Sequence, residues 1–75
     1  DVRRMVGRNV RRLRKAAGLS QAALAEKAGV DRAYISGLEL GERNATILTL
    51  WHVAQALKAE IGALFRRAKS GSSRD

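Results

Sequence analysis

The chain contains no cysteine, no proline and a single histidine among its 75 residues. These absences exclude a disulfide framework and an ordinary zinc site. No apolar run is long enough to span a membrane, no signal peptide is visible, and the absence of cysteine fits a reducing cytoplasm. The sequence therefore predicts a cytoplasmic protein that does not span a membrane. A chain this short buries only about 60% of the surface that its unfolded form exposes. With disulfides and metals excluded, the support left to it is a partner subunit.

The charge is unevenly distributed along the chain. The formal net charge is +8, with seven of the 15 basic residues in the first 15 positions and four more from Arg66 onward. Residues 19–65 carry only four basic and five acidic side chains. This arrangement fits a polyanionic partner, and it equally fits a solvated helix face that keeps a small protein in solution. Charge alone does not choose between these two interpretations.

Helix-forming residues dominate and no strand-like alternation occurs, so the sequence predicts an all-α, compact five-helix bundle. Apolar residues at helical spacing, Ser20, Asp31 and Thr46 as N-caps and Gly18 as a C-cap mark the helices. The predicted helices span 3–17, 20–27, 31–39, 46–58 and 60–67. The inward stripes are expected to be Val6, Val10, Leu13 and Ala17 in the first helix, and Ile47, Leu50, Ala54 and Leu57 in the fourth. We predict a folded domain over 3–67 and a disordered basic tail over 68–75.

Residues 18–41, GLSQAALAEKAGVDRAYISGLELG, have the spacing of a helix-turn-helix, with the motif at 20–39 and its second helix at 31–39. Ala25 is small where a second helix must cross closely, and Gly29 occupies a turn that favours a left-handed backbone. Ile35 and Leu38 are three residues apart and share an inward face. Such a pair of helices presents its second helix to a DNA major groove.

Three stretches resemble the Cro/phage-repressor-like helix-turn-helix family, also called the Xre family: VGRNVRRLRKAAGLSQAALAEKAGV, DRAYISGLELGERNAT and TLWHVAQALKAEIGALF. The resemblance covers about residues 4–65. Within the family, DRAYISGLE followed by GERN is most similar to the controller proteins of restriction–modification systems. The resemblance implies a lambda-repressor-like fold, a homodimer that binds a pseudo-palindromic operator in double-stranded DNA, transcriptional regulation, and no catalysis.

The second helix of the motif carries the candidates for base contacts, namely Arg32, Ala33, Ser36 and Gly37. Arg32 can bind guanine O6 and N7, or it can be a surface arginine paired with Asp31. Ala33 can touch only a thymine methyl, and Ser36 can bond a base or a phosphate. Gly37 replaces the long polar side chain that many relatives carry, at a cost of roughly 1 kcal/mol in a helix. We expect it to admit close approach of the DNA while it removes one potential base reader.

The phosphate candidates are Gln21, Tyr34, Arg43 and Asn44. In the family, the residue at Gln21 commonly bonds a backbone phosphate beside the helix N-terminus; the alternative is a helix-capping amide. The family also places an aromatic hydroxyl on a phosphate at Tyr34, which is otherwise a half-buried rim residue. Arg43 and Asn44 lie in the following loop, beside the expected path of the DNA backbone. Arg43 can contact a phosphate or reach a groove edge, and Asn44 can donate to a phosphate or only shape the turn.

Two further sets of residues are expected to stabilise the fold and the dimer. The resemblance implies a partly buried ion pair between Arg14 and Glu39. The predicted dimer interface consists of Trp51, Ile61, Leu64 and Phe65. The alternative is a C-terminal helix folded back on its own core, and we expect part of this apolar stripe to be internal and part to form a two-fold interface. His52 has no second ligand near it in the sequence and is expected at the surface. No feature indicates a catalytic constellation, a cofactor, a metal or a small-molecule ligand.

The sequence therefore predicts a dimeric, sequence-specific transcriptional regulator associated with the nucleoid. The alternative is a protein-interaction module, such as an antitoxin or a transcriptional coactivator, that uses its basic first helix on an acidic partner. A basic amphipathic helix at a membrane surface is a further alternative for residues 3–17, but its inward valines and leucine are better explained as core.

Overall fold

The computed structural model describes residues 1–67, which form four α-helices and a short terminal helix. The α-helices are α1 (Val2–Ala16), α2 (Gln21–Ala28), α3 (Arg32–Glu39) and α4 (Ile47–Ala56). Within residues 1–67 there is no strand, so the all-α prediction is confirmed. The predicted tail at 68–75 lies outside the described residues.

The predicted fifth α-helix is wrong. Residues Ile61–Phe65 form a 3₁₀ helix of five residues instead. The Ala63 amide donates to the Glu60 carbonyl three residues back, and Arg66 already has an extended backbone with ψ 138°. Short helical segments of this length commonly form i→i+3 hydrogen bonds and adopt a 3₁₀ helix in place of an α-helix.

Two of the three predicted N-caps form the expected hydrogen bond. Ser20 Oγ accepts a hydrogen bond from the Ala23 amide at 3.0 Å, and Thr46 Oγ1 accepts one from the Thr49 amide at 3.1 Å. Asp31 precedes α3 with an extended backbone, but its side chain makes no capping hydrogen bond. Gly29 ends α2 with φ +74°, the left-handed conformation that the turn requires. The two helices of the motif are thus set at the predicted place.

The core collects apolar side chains from all five elements, and the fully buried ones include Val10, Leu24, Ile35, Val53 and Leu64. Helix α1 packs on α3 and on the 3₁₀ helix, and α2 packs on α3 and α4. Ile35 and Leu38 of α3 lie inward, as their spacing predicts.

Two members of the predicted inward stripes are not in the core. Ala17 is exposed because α1 ends at Ala16 and Ala17 only caps it. Ile47 is 71% exposed, since it is the first residue of α4 and lies where the helix extends past the core, which begins one turn later at Leu50. Helical periodicity identifies a face of a helix, but it does not show how far along the helix its neighbour reaches.

Two buried residues of α1 set how the first and last elements meet. A Cβ on Gly7 would lie 2.5 Å from the Leu38 carbonyl oxygen, so α1 crosses the end of α3 with the two backbones in contact. Asn9, 6% exposed, donates from Nδ2 to the carbonyls of Leu64 at 2.9 Å and Arg66 at 2.7 Å. The Asn9 amide thereby fastens the C-terminal segment to α1.

Candidate nucleic-acid interface

Helix α3 has one buried and one exposed face. Ile35 and Leu38 are buried, whereas Arg32 and Ala33 are exposed. Ser36 and Gly37 are partly exposed, one turn further along the same outward face. All four candidates for base contacts therefore lie on the side of α3 that is free to meet another molecule.

A buried ion pair holds the C-terminal end of α3 against α1. Arg14 Nε donates to Glu39 Oε2 at 2.6 Å, and the second arm of the guanidinium donates to Oε1 at 3.1 Å. A third Arg14 nitrogen donates to the Leu19 carbonyl at 2.9 Å. The two side chains are only 11% and 4% exposed. This two-pronged bond fixes geometry as well as charge, because the planar guanidinium matches the carboxylate.

Both members of the pair are stabilised in their charged forms. The hydrogen bond to Glu39 raises the pKa of the Arg14 guanidinium, against the lowering effect of burial. Burial alone would raise the pKa of Glu39, but hydrogen bonds from Arg14 and Gln21 and the charges of Arg14 and Arg11 outweigh it and lower that pKa below its ordinary value. The pair is therefore ionised at neutral pH.

This lowered pKa predicts an acid-sensitive contribution to stability. A carboxyl with a lower pKa in the folded state stabilises the fold above its unfolded pKa, about 4.3, and loses that contribution as the pH falls through its folded value. We expect the stability difference between the wild type and Glu39→Gln to be largest near pH 7 and to shrink below about pH 4. Urea unfolding of both proteins across this pH range measures the difference in their free energies of unfolding. A difference that stays constant with pH would contradict the prediction.

Gln21 is joined to the same network. Its Nε2 donates to Glu39 Oε1 at 3.1 Å, and the side chain is partly exposed at the first residue of α2. The capping alternative does not describe it, because Ser20 makes the cap. An amide nitrogen has two hydrogens, so one donor is committed to Glu39 and a second is available. Glu39 thus orients the amide next to the free N–H groups of the α2 N-terminus.

The side chain of Arg43, from the loop after α3, packs over Tyr34 and Gly37 of α3. Its guanidinium carbon is 5.1 Å from the centre of the Tyr34 ring, within the range of a cation–π contact. The Arg43 side chain also passes over Gly37, where a Cβ would be 2.9 Å from Arg43 Nε. Tyr34 is partly exposed and Asn44 is exposed in the same loop as Arg43. The structure thus brings Arg43 to Tyr34, whereas Gln21 is held at Glu39, at the C-terminal end of α3.

The structure also joins the two basic clusters of the sequence. The outer face of α1 and the segment after the 3₁₀ helix line a cleft of about 690 Å³. Its charged lining consists of Arg8, Arg11, Arg12, Lys15, Arg66 and Arg67. The sequence shows the two clusters but not their meeting, which depends on the buried amide of Asn9. The signal in the sequence for this meeting is Asn9, a polar residue next to Val10 in the inward stripe of the first helix.

The predicted dimer interface is only partly exposed. Trp51 and Phe65 are 46% and 37% exposed, and Ile61 is partly buried against the core. The prediction for Leu64 is wrong, because this side chain is 0% exposed within its own chain and has no surface to offer a partner. Sequence reasoning missed Val2, Ile47 and Leu48, which are more than half exposed. Val2, Ile47 and Phe65 line one groove of about 300 Å³.

Residues 1–67 contain no cluster of three acidic or histidine side chains that could hold a metal ion. His52 is exposed and meets Trp51 edge to face, with 5.4 Å between ring centres. No helix in the described part of the chain is long and apolar enough to cross a membrane.

An exposed second helix, a fixed turn and surrounding basic side chains define a helix-turn-helix DNA-binding protein. The sequence profile of the family described as helix-turn-helix matches residues 10–64. The chain belongs to this family of DNA-binding transcriptional regulators, and its relatives include restriction–modification controllers.

The similarity to three relatives covers most of the length of each of them and supports this assignment. The chain is 46% identical over 57 residues to an uncharacterized HTH-type transcriptional regulator of Sinorhizobium fredii, which covers 76% of this chain and 74% of that protein. It is 40% identical over 67 residues to the control protein C.SmaI of Serratia marcescens, covering 89% and 80%. Its fold matches the crystal structure of the controller C.AhdI of Aeromonas hydrophila with a TM-score of 0.82 and 41% identity, covering 84% and 96%.

Proposed function

We propose that residues 3–67 form a domain that binds a pseudo-palindromic operator as a homodimer and regulates transcription there. The observation that carries this proposal is the exposed outer face of α3, held in a fixed orientation by the buried pair of Arg14 and Glu39. Because C.SmaI is named a control protein and C.AhdI a restriction–modification controller protein, we propose a role as a restriction–modification controller for this chain. Such a regulator acts in the cytoplasm, on the nucleoid.

In this proposal, α3 reads bases and its surroundings bind phosphates. Arg32 pairs with guanine O6 and N7, Ala33 meets a thymine methyl, and Ser36 bonds a base or phosphate oxygen. Gln21 uses its second amide hydrogen on a phosphate, together with the N-terminus of α2. The hydroxyl of Tyr34, in the first turn of α3, and the amide of Asn44, in the loop after α3, contact further phosphates.

The cationic cleft supplies affinity without sequence preference. Its guanidinium and ammonium groups surround a concave surface, and none of the described residues that line it carries a carboxylate. Arg11 is close enough to Glu39 to affect its pKa, so the cleft begins beside the network that orients Gln21. Each phosphate neutralised in this way contributes about −0.9 to the slope of log affinity against log salt concentration.

Arg32→Ala is expected to remove a base preference rather than affinity in general. Selection from random duplexes should give wild type a two-fold symmetric consensus with half-sites about 34 Å apart. Arg32→Ala should lose preference at one position in each half-site, worth about 1–3 kcal/mol. Lys27→Ala, at an exposed position near the end of α2, is the matched control. Weak binding without a consensus, unchanged by Arg32→Ala, would refute the proposal and favour a protein partner.

The apolar surface supports the homodimer. Ile47, Leu48 and Trp51 are exposed on the first turns of α4, and Val2 and Phe65 continue that surface around the groove. Several large apolar side chains exposed on neighbouring parts of a small chain are typical of an interface. We propose that this surface contacts the same surface of a second copy about a two-fold axis.

Trp51→Ser is expected to weaken dimerisation by about 2 kcal/mol or more, since buried tryptophans are common interface anchors. Sedimentation equilibrium should show a dimer for the wild type and for Lys27→Ala at a concentration where Trp51→Ser is mostly monomeric. A wild-type monomer at that concentration, or a Trp51→Ser dimer of equal strength, would refute this interface.

A further inference from the structure

The cationic cleft extends around α1 to the side that faces away from α3. Helix α1 meets the C-terminal end of α3 through Gly7 and Arg14. At 3.6 residues per turn, Asn9 lies roughly 150° around the helix from these two residues. Asn9 binds the carbonyls of Leu64 and Arg66, so the C-terminal segment runs along the side of α1 opposite α3. DNA that lies against the outer face of α3 is therefore separated from this segment by α1.

The basic side chains of the cleft accordingly form two rims. The near rim is Arg11 and Lys15, which are four residues apart on one row of α1. The charge of Arg11 contributes to the lowered pKa of Glu39, which places this rim beside the end of α3. The far rim consists of Arg8, Arg12, Arg66 and Arg67. Operator DNA on α3 can reach the near rim, whereas the cations of the far rim are left for another molecule.

One buried amide builds the far rim. Nδ2 of Asn9 donates to the Leu64 and Arg66 carbonyls, and Oδ1 of the same side chain accepts from Arg12 Nη2 at 3.2 Å. Asn9 thus holds an arginine of α1 and the backbone that carries Arg66 and Arg67. Side chains and backbone that are fixed before binding have less freedom to lose when a partner arrives.

We propose that the far rim binds a short acidic and amphipathic segment of a partner protein, and that it stays open to this segment when α3 is on DNA. Guanidinium groups pair with carboxylates through two parallel hydrogen bonds. The surface inside the cleft is mainly carbon, which the stems of its arginines and lysine supply. Such walls favour an occupant with apolar side chains between its carboxylates over a bare row of phosphates.

The size of the cleft supports a short segment as its occupant. Its volume of about 690 Å³ lies in the range of sites for small ligands. A few residues of a peptide would fill it, whereas the flat surface of a folded domain would not enter it. This inference goes beyond the proposed function, since it gives the operator-bound regulator a surface for a second protein.

The test is a titration of the protein with a short labelled peptide of alternating glutamate and leucine. The double variant Arg66→Ala/Arg67→Ala should weaken binding about 5-fold or more, while it keeps the backbone carbonyl that Asn9 binds. The matched control Arg4→Ala/Lys27→Ala removes the same charge from exposed positions outside the cleft. It should change binding by less than about 2-fold at an ionic strength of about 0.15 M, where distant charges are screened.

Two altered peptides test the chemistry of the partner. Glutamine in place of glutamate should abolish binding, because the guanidinium groups then lose their charged partners. Serine in place of leucine should weaken binding, because the carbon walls of the cleft lose their apolar contacts. A serine peptide that binds as tightly as the leucine peptide would refute the amphipathic occupant.

Asn9→Ala tests the positioning role. This variant keeps every cation of the cleft but releases both sides of the far rim, so it should weaken peptide binding about as much as the loss of Arg66 and Arg67. Its affinity for the operator should stay within about 2-fold of the wild type, because operator DNA needs only the near rim. Equal losses of peptide and operator affinity would show that Asn9 has only a structural role.

The outcomes separate this inference from the proposed function. The operator-bound protein should still bind the peptide, with an affinity within about 3-fold of that of the free protein. Displacement of the peptide by the operator duplex would place the far rim on DNA and overturn this inference alone. Tighter binding of inorganic triphosphate than of the peptide, or equal effects of the two double variants, would also overturn it. Absence of any operator consensus would refute the proposed function, and the titrations without DNA would still decide whether the far rim binds the peptide.

Discussion

Arg14→Ala is expected to lower the free energy of unfolding by about 3–5 kcal/mol at neutral pH. The reason is the burial of Glu39, whose side chain is only 4% exposed and which would keep its charge with one partner, Gln21, in place of two. The Leu19 carbonyl would lose its hydrogen bond from Arg14 as well. For a domain of this size, stability is itself of the order of 5–10 kcal/mol, so that the loss would remove a large part of it.

The measurement is urea unfolding at pH 7 and again near pH 4. The loss caused by Arg14→Ala should be smaller in acid, because a buried carboxyl without its arginine takes up a proton and becomes neutral. Lys15→Ala is the matched control, being the next residue on α1, basic and exposed, and it should change stability by no more than about 0.5 kcal/mol. Equal effects of the two variants at pH 7 would contradict a stabilising role for the buried pair.

Gly7→Ala is expected to lower the free energy of unfolding by a net amount of about 2–3 kcal/mol. Helix propensity alone predicts a gain of up to about 1 kcal/mol for this change. The new Cβ would, however, lie 2.5 Å from the Leu38 carbonyl oxygen and 2.7 Å from that of Glu39. These are backbone atoms at the end of α3, so α1 and α3 would have to move apart.

Gly37→Ala is the natural control for this prediction, since both glycines lie within helices and only one of them meets backbone. Thermal unfolding should show that Gly7→Ala has a lower melting temperature than wild type, whereas the melting temperature of Gly37→Ala should be equal to that of wild type or higher. Gly7→Ala should also weaken DNA binding, because it moves the end of α3 that carries Glu39. A Gly7→Ala variant as stable as Gly37→Ala would show that α1 and α3 are not in close contact.

The parts of the fold that could be predicted are those specified by neighbours in the sequence. Ser20 and Thr46 start helices through bonds to amides three residues on, and Gly29 ends α2 within the same turn. Ile35 and Leu38 mark the inward face of α3 by spacing alone. The helix-turn-helix consists almost entirely of such local features, so that its position and its outward residues followed from the sequence.

The remaining features depend on segments that are distant along the chain. Asn9 finds its partners 55 and 57 residues away, and the cationic cleft exists only because that contact joins both ends of the domain. Ile47 has the spacing of a core residue but lies beyond the edge of the core. Leu64, which the sequence assigned to the dimer interface, is buried in the core of its own chain. Hydrophobic pattern shows which side chains leave water, but not whether they are buried within one chain or between two.

The site shows the same division. The exposure of Arg32 and Ala33 follows from helical geometry, because Ile35 and Leu38 occupy the opposite face. The position of Arg43 does not, since it depends on the path of an irregular loop and on the space that Gly37 leaves. The attachment of Gln21 to Glu39 likewise joins the start of α2 to the end of α3, which no local pattern specifies.

The most direct test of the central claim is a crystal structure of the domain bound to the duplex selected from a random library. We predict two protomers related by a two-fold axis, each with α3 in a major groove and Arg32 within hydrogen-bonding distance of a guanine. A complex in which α3 faces away from the bases, with the DNA held only by the cationic cleft, would contradict the claim.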